Sequence, residues 1–263
     1  MADAPLRSPR VLWPLAVLGF ALVAIPVVGL LWRIEWSSLP SELTRSGVLG
    51  ALRLSLVCSV SAAMLSMLLG FPAAWVLART RLPGRSLWRA IVLLPLVLPP
   101  VVGGVALLGA FSRRGMLGGW LFDATGVQLT FSTTGAIVAQ TFVALPFFVL
   151  TVEGGLRQLG TTDDEAAATL GASPWYRLRH VTLPLLRPSL IAGAVLAWAR
   201  ALGEFGATLT FAGNVAGRTR TLPLAVYLEL DGRPQAAYAM SFVLLVVSVA
   251  VLVGMRSRWL GQL

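Results

Sequence analysis

The chain has 263 residues, 57% of them hydrophobic and 12% charged, with a formal net charge of +10 and a mean hydropathy of +0.81. This balance excludes a soluble globular domain and points to an all-α polytopic membrane protein, a single transmembrane domain over residues 1–263. All 21 basic residues are arginine, and Cys58 and His180 are the sole cysteine and histidine, which excludes a disulfide framework and a Cys/His metal cluster within one chain.

Six apolar runs reach the roughly 20 residues that a helix needs to cross the hydrocarbon core. They lie near Val11 to Trp32, Val48 to Ala78, Leu87 to Phe111, Thr133 to Val152, Leu185 to Phe211 and Ala236 to Met255. The first lacks a convincing small-residue cleavage site and is read as a span rather than a signal. The second exceeds one span, so its first part is expected along the outer interface; Cys58 within it reads as a small packing residue. With both ends inside, twelve arginines fall on the cytoplasmic side: Arg7, Arg10, Arg79, Arg81, Arg85, Arg89, Arg157, Arg177, Arg179, Arg187, Arg256 and Arg258. Eight fall outside: Arg33, Arg45, Arg53, Arg113, Arg114, Arg218, Arg220 and Arg233. This orientation follows the positive-inside bias, which also explains the net charge without invoking nucleic acid.

Pro26, Pro72 and Pro146 lie inside spans, and the third carries Pro95, Pro99 and Pro100 followed by Gly103 and Gly104. Each proline removes a backbone donor, which lipid tolerates only where neighbours or a cavity satisfy the freed carbonyl. The third span is therefore expected to line something rather than face lipid.

Between spans four and five lies a charged stretch, residues 161–184. Thr162-x-x-Glu165 predicts a capping box, and Asp163, Asp164 and Glu165 suit the positive end of a helix dipole. Ala166, Ala167 and Ala168 propagate the helix with a smooth face, and Gly171 interrupts it. Ser173 and Pro174 repeat the start signal for a second short helix, with Trp175, Leu178 and Val181 on one side and Pro184 expected to stop it. Trp175 and Tyr176 offer aromatic contact area.

In the fifth span, Arg200 and Glu204 sit four residues apart, which places them on one helix face and lets them pair. A gate, a dimer contact and a static structural pair all fit that spacing. Thr208, Thr210 and Asn214 near the outer end are candidate donors for an anion. The following external loop, from Gly213 to Pro234, carries Arg218, Arg220, Glu229 and Asp231 and reads as a docking surface or a solvated connection.

The run Glu165, Ala166, Ala167, Gly171, Val181, Leu183, Pro184 resembles the EAA loop of ABC-importer permeases, departing only in valine for the commoner isoleucine. The segments LLPLVLPPVVGG, AQTFVALPF, EAAATLGASPW, VTLPLLRPSL, ARALGEFGATLTFAGN and RTRTLPLAVYL look, in order, like the molybdate or tungstate permease subgroup. Sulfate and thiosulfate permeases share much of this, including a similar ALGEFG run. The resemblance implies a six-span type I importer permease in a bacterial or archaeal cell membrane. It also implies a homodimer forming the pathway, two cytoplasmic ATPase subunits and an external molybdate-binding protein. Glu165, Ala166, Ala167, Gly171, Ser173, Pro174, Trp175 and Tyr176 would then form a coupling element docked on the ATPase. No catalytic residue, metal ligand or cofactor is expected on this chain; it has no Walker A motif and no lysine to complete one, so ATP and Mg belong to the partner. Other classes are disfavoured. An intramembrane enzyme needs an activated nucleophile or metal ligands within the spans, and a secondary transporter needs ionisable residues mid-span, where only Arg200 and Glu204 qualify.

Overall fold

The computed structural model describes residues 12–44 and 47–259, with side chains described up to residue 254. Arg7, Arg10, Val11 and Arg45 lie outside these residues, as do the side chains of Arg256 and Arg258. Among the described residues all regular structure is helical. Five helices are long and apolar enough to span a membrane: α1 (Leu12–Arg33), α3 (Val48–Arg79), α7 (Thr133–Leu159), the run Pro174–Leu202 and the segment Pro234–Gly254 of α13 (Pro234–Trp259). Short helices α2 (Leu39–Thr44), α6 (Gly118–Thr125) and α12 (Leu222–Gly232) connect them.

Two expected spans differ from the sequence reading. The third is divided into α4 (Arg85–Val97) and α5 (Pro100–Phe111), with Leu98 and Pro99 extended between them. Two consecutive prolines remove adjacent helical donors and force the preceding residue out of the helical region, so the chain breaks where Pro95 alone does not break it. The fifth ends at Leu202, and after Gly203 to Phe205 a separate short helix, α11 (Gly206–Ala212), begins. The second run is one unbroken helix of 32 residues. Pro26, Pro72 and Pro146 are carried inside continuous helices.

The core is built from α3, α7 and α10 (Leu183–Leu202). The α3 face buries Ser55, Cys58, Ser59, Ala62, Ala63, Ser66, Gly70 and Ala74, small side chains that let helix backbones approach closely. Phe148 of α7 fills the space so created and is fully buried. A Cβ at Gly70 would lie 2.8 Å from its ring, and one at Gly193 of α10 would lie 3.1 Å from the other edge. The two glycines form a slot for one aromatic ring. Gly70→Leu is expected to destabilise the protein by about 1–3 kcal/mol through overpacking. Thermal unfolding in detergent checks this, with Gly50→Leu as control because, among the described residues, no atom beyond the local helix backbone lies within 4 Å of a Cβ there.

The two helix breaks meet. α5 packs on α11, where a Cβ at Gly206 would lie 2.9 Å from Pro100 Cβ and one at Gly104 would lie 2.6 Å from Thr210 Cβ. α1, by contrast, packs on α13 and buries none of its residues.

Candidate functional site

The charged stretch folds as two helical arms around a glycine joint. α8 (Thr162–Thr169) begins one residue earlier than the capping-box reading implies: Thr161 is the cap residue and no side chain caps the helix. Thr162 is already helical, so its hydroxyl no longer faces the N3 amide, and Glu165 N–H instead donates to the Thr161 carbonyl at 2.9 Å. The three acidic residues still occupy the first turn, where the dipole favours them.

The joint follows the sequence closely. Gly171 has φ +83°, Gly171 N–H donates to Ala168 O at 3.0 Å, and Ala172 N–H donates to Ala167 O at 3.1 Å. These are the paired bonds of a Schellman ending, which requires a left-handed residue. The second arm, α9 (Pro174–Arg177), starts with the Ser173 hydroxyl accepting from Tyr176 N–H at 3.3 Å.

Pro184 does not stop this arm. α9 continues through a π-helical turn (Leu178–Thr182) into α10, and Leu183 N–H donates to Leu178 O across that turn. The wider turn shifts the bonding register just before the proline, so the chain absorbs a residue that lacks a donor without kinking away. The second arm and the spanning helix are thus one helical run from Pro174 to Leu202.

One ion pair ties the two arms. Arg177 Nη1 meets Asp164 Oδ2 at 2.6 Å. On the outer face of the joint, Leu170, Trp175 and Tyr176 are exposed at 88%, 69% and 53%, and Glu165, Ala166, Gly171, Ser173 and Pro174 are exposed beside them while Ala167 is half-buried. Tyr176 stacks on His180 with ring centroids 4.3 Å apart. Leu170 was missed in the sequence reading because it falls among the variable positions of the motif.

At the second helix break, Glu204 is buried and bridges its ends. Its Oε2 pairs with Arg200 Nη2 at 2.6 Å and its Oε1 accepts from Ala207 N–H at 2.8 Å. The pair expected from i,i+4 spacing forms, although Glu204 lies beyond the end of α10, and the carboxylate also caps α11. The candidate anion donors are differently placed. Thr208 is fully buried with its hydroxyl unpaired, Thr210 Oγ1 donates to Gly206 O at 2.9 Å, and Asn214 Oδ1 accepts from Arg220 Nε at 2.9 Å. The region from Gly213 to Pro234 is not an open loop: α12 occupies half of it and packs on α13. Glu229 grips Arg233 through two bonds of 2.7 and 2.6 Å and raises the guanidinium pKa above its ordinary range.

The chain is similar to known proteins in sequence and in fold. Residues 66–261 match the family model of the binding-protein-dependent transport system inner membrane component. The chain belongs to that family. The permease is 47% identical over 259 residues to the molybdenum transport system permease protein ModB of Mycobacterium tuberculosis, covering 97% of this chain and 96% of the relative. It is 37% identical over 223 residues to the sulfate transport system permease protein CysT of Escherichia coli, covering 84% and 79%. Its fold matches a solved chain of a bacterial ABC transporter involved in import of the acidic polysaccharide alginate, with a TM-score of 0.73, 19% identity and coverage of 95% and 94%. The all-helical importer-permease fold read from the sequence is thereby established. The permease is a multi-pass inner-membrane transport component and not an enzyme; ATP hydrolysis belongs to a separate subunit.

A buried charged residue of the permease also escaped the sequence reading. Glu153 of α7 is 1% exposed yet meets Arg157 Nη2 at 2.5 Å and Arg89 Nε of α4 at 3.2 Å. The i,i+4 spacing to Arg157 was available as a signal; the approach of Arg89, 64 positions away, was not.

Proposed function

We propose that the permease forms, as a homodimer, the translocation pathway of an ATP-driven importer for molybdate, with tungstate as a second substrate, and that residues 161–184 dock on a cytoplasmic ATPase. The observation that carries the substrate is the 47% identity to a molybdenum permease over nearly the full length of both chains. The sulfate relative is less similar over a smaller share of each chain. Sulfate is accordingly the second reading, since both anions are divalent tetrahedral oxyanions that amides, hydroxyls and arginines can hold.

The docking role rests on physical form. A stiff joint with left-handed Gly171, an ion pair bracing its arms, and an exposed Leu170, Trp175 and Tyr176 make a shaped apolar knob on a helix that runs unbroken into the core. Exposed tryptophan and tyrosine anchors of this kind dominate interface energetics once buried. Motion at Trp175 and Tyr176 reaches Arg200 without an intervening helix break, because Pro174 to Leu202 is one helical run, and Arg200 is paired to Glu204 at its end. In this reading the termini are cytoplasmic, ATP and Mg bind the partner ATPase, and an external binding protein delivers the anion. Arg200, Glu204, Thr208, Thr210 and Asn214 stand near the pathway, with Arg200 neutralising a carboxylate that would otherwise repel an anion.

Reconstitution with the cognate ATPase and binding protein in liposomes tests the proposal. ATP-dependent uptake of molybdate that a tenfold excess of sulfate does not suppress is the expected result. Uptake of sulfate in preference to molybdate would replace it with the second reading.

A further inference from the structure

The Glu153 cluster is the element of the fold that the proposed function leaves unused. Glu153 sits six residues before the end of α7, just ahead of the coupling segment that begins at Thr161. Arg89 belongs to α4, the half-helix that precedes the double-proline break. α4 buries none of its own residues and lies against α7. The carboxylate therefore joins a lightly held half-helix to the base of the helix that carries the coupling segment.

The two halves of the cluster are unequal. Arg157 Nη2 hydrogen-bonds Glu153 Oε1 within the same helix, four residues on, so it travels with the carboxylate. Arg89 Nε lies 3.2 Å from Oε2 but neither atom has a hydrogen-bond partner, so this contact is an ion pair without hydrogen-bond alignment. Arg89 and Arg157 are 40% and 45% exposed at their side chains, and water can take up either guanidinium. Breaking a buried ion pair is costly chiefly because it strands a charge. Here Arg157 stays on the carboxylate, so α4 can leave without stranding it.

We propose that Glu153 is a positioning residue and that its contact with Arg89 is a releasable tether, closed in one transport state and open in another, through which movement of the coupling segment reaches α4. Arg157 is the fixed partner that stays on the Glu153 carboxylate in both states. This rests on the reading of the chain as an ATP-driven permease.

The test is the number of ATP molecules hydrolysed per anion taken up, measured on the whole complex in liposomes with loaded binding protein. Arg89→Gln is expected to raise that ratio at least threefold, with assembly yield and basal ATPase rate unchanged, and Arg89→Lys to restore most of the coupling. Glu153→Gln is expected to raise the ratio similarly, and the Arg89→Gln, Glu153→Gln double variant no further than either single change. Because Arg89 is partly exposed, its variants fold even where Glu153→Gln does not. A wild-type ratio in Arg89→Gln, or additive losses of assembly yield in place of uncoupling, would overturn the tether. Absence of ATP-driven uptake of either molybdate or sulfate by the wild type would overturn the proposed function and the tether with it.

Discussion

Glu204→Ala is expected to destabilise the permease by about 3 kcal/mol and to abolish transport. Removing the buried carboxylate deletes two interactions at once, the 2.6 Å pair with Arg200 and the 2.8 Å acceptor for Ala207 N–H. It leaves Arg200, only 26% exposed at its side chain, without its counter-charge. Loss of one partner from a buried pair costs about 3–5 kcal/mol, and partial exposure of Arg200 places this case at the low end. Loss of a helix cap contributes a further ~1 kcal/mol within that range. Glu204→Gln separates the two roles, since an amide oxygen can still accept from Ala207 while the charge is gone. It is expected to recover most of the fold but to keep a reduced uptake rate. Thermal unfolding in detergent and uptake in liposomes measure the two quantities. Wild-type uptake by Glu204→Gln would assign the pair a structural role alone.

Gly171→Val is expected to leave the membrane fold intact and lower uptake at least tenfold, as is Glu165→Ala to a smaller degree. At φ +83° a β-branched residue is strained, by roughly 1–2 kcal/mol for a left-handed conformation. Among the described residues, none apart from its two chain neighbours has an atom within 4 Å of a Cβ at this position. Strain rather than collision is thus the intrachain effect, and it would be relieved by re-angling α8 against α9. The exposed knob of Leu170, Trp175 and Tyr176 would lose its shape while the core of α3, α7 and α10 stays packed. Stimulation of ATPase activity by loaded binding protein is the readout. Gly171→Asn, which tolerates the left-handed region better, should fall between the variants. Full stimulation and uptake in Gly171→Val would remove the joint from the coupling mechanism.

Much of this was legible in the sequence, because the deciding interactions are local. Hydropathy located the apolar runs, the Ser173 cap and the Gly171 ending were readable from residue type, and Arg200 and Glu204 are four positions apart. The local reading failed where a neighbouring possibility was equally good. Thr161 and Thr162 are both capping residues by type, and the helix used the first. Pro184 is a stop signal in isolation, but a π turn placed before it let the helix continue.

What only the tertiary structure decided has one physical cause. A spanning helix is apolar nearly all round, so periodicity does not mark which face meets protein and which meets lipid. The slot that Gly70 and Gly193 make for Phe148, the meeting of the two helix breaks at Pro100 and Gly206, and the approach of Arg89 to Glu153 all depend on which faces come together. Composition and spacing determined that the chain crosses a membrane and carries a jointed polar segment between two spans. Long-range packing alone decided that one buried carboxylate, Glu153, joins the helix leading into that segment to the broken third span.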